Sequence, residues 1–275
     1  MRIDTSKLTI KQLIDQKKTL IKSKKSLPIT SDPVHELTVQ GKPLQMKTKA
    51  FGEASDDPDR MKVKFIGSTA LFCDSHMDVL AVGCYDRTLK DRAHLVPHLV
   101  DHIHSLKAKV GKTIDITTEV MNVSSFGIDS DVQTTEVLTM ESELNRKWDE
   151  KVFQLYKDEE VNQHSIGMQY VNLKLAVNDE EYKEEFELWQ KVYPEVINKE
   201  RVDKAGYFWY VTEIKLFEIS AVLFGSNELT PTTETQKELN QQPSADTAEE
   251  VSTKKKPSAD TSEKENERRL FLLNS

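Results

Sequence analysis

Apolar and polar positions alternate through the middle of the chain and lose their order towards its end. Six runs are rich in β-branched and aromatic residues and alternate in places with period two: 61–72, 78–85, 95–103, 112–121, 166–177 and 208–224. That is the pattern of strands with one face buried. Two stretches repeat with a helical period instead. Met140, Leu144, Trp148, Val152 and Tyr156 step by four within a predicted helix over 131–160. Tyr182, Phe186, Trp189, Val192 and Val196 step by three and four within a second over 180–200, which Pro194 is expected to kink or end early. Consecutive strands with helices inserted between them predict an α+β domain with a mainly antiparallel sheet or barrel.

The flanks read differently. Leu8, Ile10, Leu13, Ile14, Leu20 and Ile21 make a loosely helical pattern with little power to form a core, and 26–60 is rich in Pro, Gly, Ser and Asp, as turns and linkers are. The expected organisation is therefore a basic helix and linker at 1–60, a folded domain at 61–231 and a low-complexity, disordered tail at 232–275. PSADT occurs twice in that tail, at 243–247 and 257–261, but a polar pentapeptide has nothing to bury and builds no repeat architecture. The chain closes on RRLFLLNS, whose Leu270, Phe271, Leu272 and Leu273 suit either a docking peptide or a terminus packing on its own domain.

Charge sharpens this partition. The net charge of -8 over 275 residues divides into +6 for residues 1–30, -12 for 31–231 and -2 for 232–275. An acidic centre argues against nucleic acid as the main partner, because neutralising phosphate needs a basic surface. The basic start reads as a solvated helix or as a contact for an acidic partner or RNA. The longest apolar stretch, LFEISAVLF, is too short to span a bilayer and carries a Glu, so no membrane association is expected. Two cysteines make no disulfide framework, and no apolar leader opens the chain; a reducing cytoplasm is the expected compartment.

Three features carry candidate chemistry. His94, His98, His102 and His104 fall within eleven residues. A helix would align three of them as zinc ligands do, but Pro97 favours a strand, on which His98, His102 and His104 share a face without a carboxylate. Glu218 and Ser220 fall by strand period on the apolar side with Ile214 and Leu216. A carboxylate there needs a cationic or imidazole partner, or a β-bulge that re-aims it. Ser165 precedes Gly167 at the start of a predicted strand, where glycine permits close backbone approach and N–H donors for an oxyanion. Cys73 and Cys84 lie in apolar contexts without a neighbouring cation and read as inert thiols.

Four blocks in order, GSTALFCDSHMDVLAVGCYDRTL (67–89), LVDHIHSLKAKVGK (99–112), HSIGMQYV (164–171) and LFEISAVLFGSNELTP (216–231), resemble the prohead proteases of tailed phages. These are serine endopeptidases similar in fold to the herpesvirus capsid-maturation protease, assemblin. The last block, a Glu-hydrophobic-Ser strand with an Asn-x-x-Thr-Pro exit, carries the resemblance best. It implies an assemblin-like barrel, Ser165 as nucleophile, His102 as general base and Glu218 as the acid behind it, with no metal or organic cofactor. Backbone N–H groups near Gly167 or on another loop would hold the oxyanion. It also implies a location inside the assembling prohead, in the host cytoplasm. Expected partners are a capsid or scaffold protein as substrate and further copies of the chain, with self-cleavage of one or both extensions. The spacing from Ser165 to Glu218 is longer than the family's, which makes 180–200 an insertion that could serve as a lid or dimer surface. The alternatives are a non-catalytic scaffold or assembly protein of the same fold and a metallohydrolase built on the histidines.

Overall fold

A computed structural model describes residues 8–26, 48–52 and 55–236 of the chain. Most of the predicted linker, both PSADT copies and the apolar terminus lie outside the described residues.

Strand β2 (Arg60–Thr69) begins as an alternating strand, with Met61, Val63 and Phe65 buried and Lys62 and Lys64 half-buried between them. From Phe65 onward every residue of β2 is buried, because a second apolar cluster of Ile66, Ala70, Phe72, Val123, Phe126 and Leu229 covers the opposite face. Next to β2 runs β6 (Thr134–Asn145), antiparallel both to it and to β5 (Lys109–Asn122). This overturns the helix predicted over 131–160. Steps of four are also even steps, so Met140 and Leu144 share a strand face as readily as a helical one. The helix starts only at α3 (Glu150–Lys157), where the Asp149 carboxylate accepts the Val152 N–H at 2.9 Å.

Strands β7 (His164–Val177) and β8 (Tyr207–Ala221) form a long antiparallel pair. Between them come α4 (Lys183–Val192), a 3₁₀ turn holding Pro194, and α5 (Lys199–Ala205), so the proline ends the helix as expected. Trp189, Val192, Val196 and Val202 pack on Ala176 and Phe208. The insertion thus covers the end of the β7–β8 pair remote from Ser165 and forms no lid over it.

The other edge of β8 is shared. β3 (Asp78–Leu80) pairs with its first half and β4 (His98–Val100) with its last three residues, both in parallel. Helix α2 (Asp86–Arg92) fills the gap, with Thr88 Oγ1 accepting the Leu216 N–H at 2.9 Å. β9 (Thr232–Thr235) lies antiparallel to β2 and parallel to β1 (Lys49–Ala50), so regular structure continues past the predicted boundary at 231. Among the described residues nine strands make one mixed sheet in the order β1-β9-β2-β6-β5-β4-β8-β3, with β7 on β8. Its long pairings, β2–β6, β5–β6 and β7–β8, are antiparallel as expected, and the short β1, β3 and β4 add the parallel ones. The sheet curls until β2 meets β7 and β8. Phe65 stacks on His164 at 3.9 Å between ring centroids, and a Cβ at Gly67 would lie 2.9 Å from Ile219.

Helix α1 (Ile10–Ser26) is not a solvated extension. Leu13 and Leu20 are fully buried in the main core, Lys17 pairs with Glu185 of α4 at 2.5 Å, and Lys24 reaches Asp78 of β3 at 2.6 Å. Two of its basic residues, Lys17 and Lys24, thus serve internal ion pairs, while Lys11, Lys18 and Lys22 are exposed. Among the described residues no helix is long and apolar enough to cross a membrane.

Candidate functional site

The end of β8 explains how a carboxylate comes to be buried there. Gly167 of β7 pairs with Glu218, but Met168 pairs with Leu216, so Phe217 is an extra residue on β8. This bulge shifts the side-chain alternation by one. Leu216 and Ile219 both face the core opposite Met168 and Ile166, while Glu218 and Ser220 turn to the other face with Gly167 and Ser165. Both remedies for a buried Glu218 operate together, since the bulge re-aims it and an imidazole meets it.

That imidazole is His102, which does not lie on a strand. β4 stops at Val100, and Asp101 and His102 follow in successive left-handed conformations, φ 52° and 54°. Asp and His are among the few non-glycine types that adopt this region with any frequency. The Asp101 N–H still bonds the Ala221 carbonyl at 2.9 Å, so the chain turns without leaving β8. The turn brings His102 Nδ1 to 2.5 Å from Glu218 Oε1, with both side chains almost wholly buried, 6% and 2% exposed. Ser220 ties the pair together. Its hydroxyl donates to Glu218 Oε2 at 2.5 Å and accepts the His102 backbone N–H at 3.2 Å.

Ser165 is the direct cross-strand partner of Ser220, which places its side chain beside this assembly on the same face of the sheet. Gly167, two residues on, gives the carboxylate room. A Cβ there would sit 2.0 Å from Glu218 Oε1 and under 3 Å from two further atoms of that side chain. The glycine is the floor on which the carboxylate lies. Of the residues picked out in the sequence, the fold brings Ser165, His102 and Glu218 to one corner. Ser220 was visible as a polar misfit on β8, but its positioning of both partners was not.

The other histidines separate. His94 and His104 are exposed, and His98 points into the core, so the face predicted for His98, His102 and His104 does not form. His98 belongs to a buried chain of hydrogen bonds. Because the Thr230 carbonyl can only accept, His164 Nδ1–H donates to it at 2.9 Å, and His164 Nε2 then accepts a hydrogen bond from the Tyr156 hydroxyl at 2.7 Å. The Tyr156 oxygen accepts from His98 Nε2 at 3.1 Å, leaving His98 Nδ1 as acceptor for Ser142 at 3.0 Å. Every member is neutral in this arrangement. Burial holds His98 well below the usual imidazole range and brings His164 down to about 3. The network anchors β7 one residue before Ser165. Among the described residues no three His, Cys, Asp or Glu side chains group as metal ligands would. Cys73 and Cys84 are fully buried, and burial pushes both thiols up, away from the reactive thiolate.

A cavity of about 20 Å³ reaches Ser165 from the inner side, lined also by Ser68, Asp74, Asp78 and Asn227. It holds one water-sized guest, far less than a small-molecule site needs. Comparison of the chain with protein-family models, with curated proteins and with solved structures finds no match.

Proposed function

We propose that this chain is a serine endopeptidase of the prohead-protease type, which cleaves scaffold or capsid-protein segments during assembly of a phage shell. The observation that carries the reading is the His102–Glu218 contact on the same sheet face as Ser165. A carboxylate at Nδ1 selects the tautomer protonated there, which makes Nε2 the basic nitrogen. In the proposed reaction His102 Nε2 takes the Ser165 hydroxyl proton as the oxygen attacks the scissile carbonyl, then returns it to the leaving amine. Glu218 stabilises the imidazolium between those steps. Water then attacks the acyl-enzyme, with His102 acting as base a second time, and Ser165 is regenerated. An assemblin-like barrel is the proposed fold type, supported by the curl that packs β2 against β7 and β8.

The packing of α1 narrows the expected self-processing. A helix that buries Leu13 and Leu20 is part of the enzyme, so self-removal is proposed for the C-terminal extension alone. Co-expression with the capsid or scaffold protein tests the proposal. Wild type should shorten the partner protein and itself, and Ser165→Ala should leave both at full mass. Identical processing by the two would refute the assignment.

A further inference from the structure

The side chains of the candidate site are almost wholly covered, yet the rim around them is not polar. Ser165 is 3% exposed and the His102 side chain 6%. Three connections leave the sheet at this end: 101–108 between β4 and β5, 146–163 between β6 and β7, and 222–231 between β8 and β9. Of the ten large apolar side chains exposed among the described residues, six lie on these connections: Ile103, Leu106, Trp148, Leu155, Leu223 and Phe224. Scattered exposed apolar side chains are ordinary, whereas a concentration on one rim marks a surface that is covered in use. The first and last connections start from one cross-strand pair, Val100 with Ala221. His102 stands between Val100 and Ile103, so the first apolar turn begins at the imidazole itself. On the other side Val222 N–H bonds the carbonyl of Gln163, two residues before Ser165. Acids accompany the apolar residues. Asp101 in the first turn and Asp158, Glu159 and Glu160 ahead of Gln163 are exposed, while Lys107 is the one lysine or arginine of the first and last turns.

We propose that this rim is the substrate-recognition surface of the site, and that the polypeptide it takes carries large apolar residues, Leu or Phe, beside the scissile bond, with an Arg or Lys next to them. The inference rests on reading Ser165, His102 and Glu218 as a peptidase site. A peptide bond that reaches side chains so well covered brings its neighbours in the chain onto the residues around them. Next to His102 and the start of β7 those residues are Ile103, Leu106, Leu223 and Phe224. A Leu or Phe laid there gains burial and removes the exposed apolar surface of the turns from water. A basic neighbour meets Asp101 and Glu160, which fixes the register of the peptide more than its affinity.

Anisotropy of a short fluorescent peptide, carrying Arg-Leu-Leu-Phe in a Gly-Ser background, tests the surface without turnover when it is titrated with the full-length chain bearing Ser165→Ala. Serines in place of its apolar residues should weaken binding by about tenfold or more, and Glu in place of its Arg by a smaller factor. Leu106→Asp together with Leu223→Asp, at positions 94% and 77% exposed, should weaken the parent peptide by about tenfold. Val120→Asp, 76% exposed on β5, should leave it unchanged. Urea melts check that each variant keeps its fold. An unbound peptide, or equal affinity for the serine version or for the double variant, would overturn the proposed surface. A wild-type dimer that the double variant loses would assign it to a second copy instead. Digestion of a proteome-derived peptide library by wild type separates this from the catalytic reading. New termini beside Leu or Phe with a nearby Arg or Lys are expected. Cuts without that preference would overturn the specificity and leave the catalysis standing, whereas a bound peptide with an uncut library would overturn the catalysis and leave a binding surface.

Discussion

Replacing Lys24 by Met tests whether α1 is a structural part of the fold. The Lys24 ammonium lies 2.6 Å from Asp78 Oδ1, with Asp78 wholly buried and the Tyr170 hydroxyl donating to its other oxygen. A second acid presses on the same spot, since Asp74 Oδ1 accepts the Asp78 N–H at 2.9 Å. Methionine keeps most of the stem and removes the ammonium, with its contacts over the Tyr170 and Trp209 rings. Breaking a buried pair from one side costs about 3–5 kcal/mol. Urea unfolding at pH 7 should therefore show a loss of about 3–5 kcal/mol at unchanged m-value. Adding Asp78→Asn should restore most of it. A loss under about 1 kcal/mol, or one that Asp78→Asn leaves untouched, would refute the account of α1 as an ion-pair-held layer.

Gly167→Ala places a methyl group where Glu218 lies, so the carboxylate must leave His102; processing should fall by a factor of about 10² to 10⁴ while the fold survives with a loss of about 1–3 kcal/mol. Intact-mass time courses and urea melts check the two halves, and undiminished processing would contradict the geometry. Stability should peak near pH 6.5. Below that, the unfolded chain takes up two imidazole protons that buried His98 and His164 refuse, which destabilises the fold as pH falls. Asp74 acts in the opposite direction: burial and then the neighbouring Asp78 charge raise its carboxyl to about 8, so from pH 4 to 8 the folded state holds a proton the unfolded chain has lost. The net slope should be about +1.4 kcal/mol per pH unit between pH 4 and 6 and, because the imidazoles and Asp74 titrate across it, only about -0.6 between pH 6.5 and 8. Asp74→Asn should flatten the alkaline limb, and an unchanged decline would show that another group causes it.

What could be read from the sequence follows from what each signal physically encodes. β2, β5, β7 and β8 were legible because long β-branched runs with a buried face admit few other structures. β6 was misread because its buried residues fall four apart, a spacing strand and helix share. β9 has the polar sequence TTET and owes its place to pairing with β2, which no local pattern announces. α1 reads as solvated because its lysines look like surface charge, yet two of them, Lys17 and Lys24, meet Glu185 and Asp78, which are distant in sequence. At the candidate site, the misplaced polarity of Glu218 was a sound clue, since a buried carboxylate needs a partner wherever it lies. The left-handed turn at Asp101 and His102 and the bulge at Phe217 were hidden, because both are imposed by tertiary pairing. Gly167 was singled out for its lack of a side chain, but the group that takes the vacated space comes from the facing strand.

The account rests on Ser165 being a nucleophile activated by His102. Treatment of the intact protein with a fluorophosphonate, followed by intact-mass and peptide analysis, tests this most directly. One adduct per chain on Ser165, absent in Ser165→Ala and nearly absent in His102→Ala, is the predicted result. An unlabelled wild type, or an adduct that persists in Ser165→Ala, would contradict it.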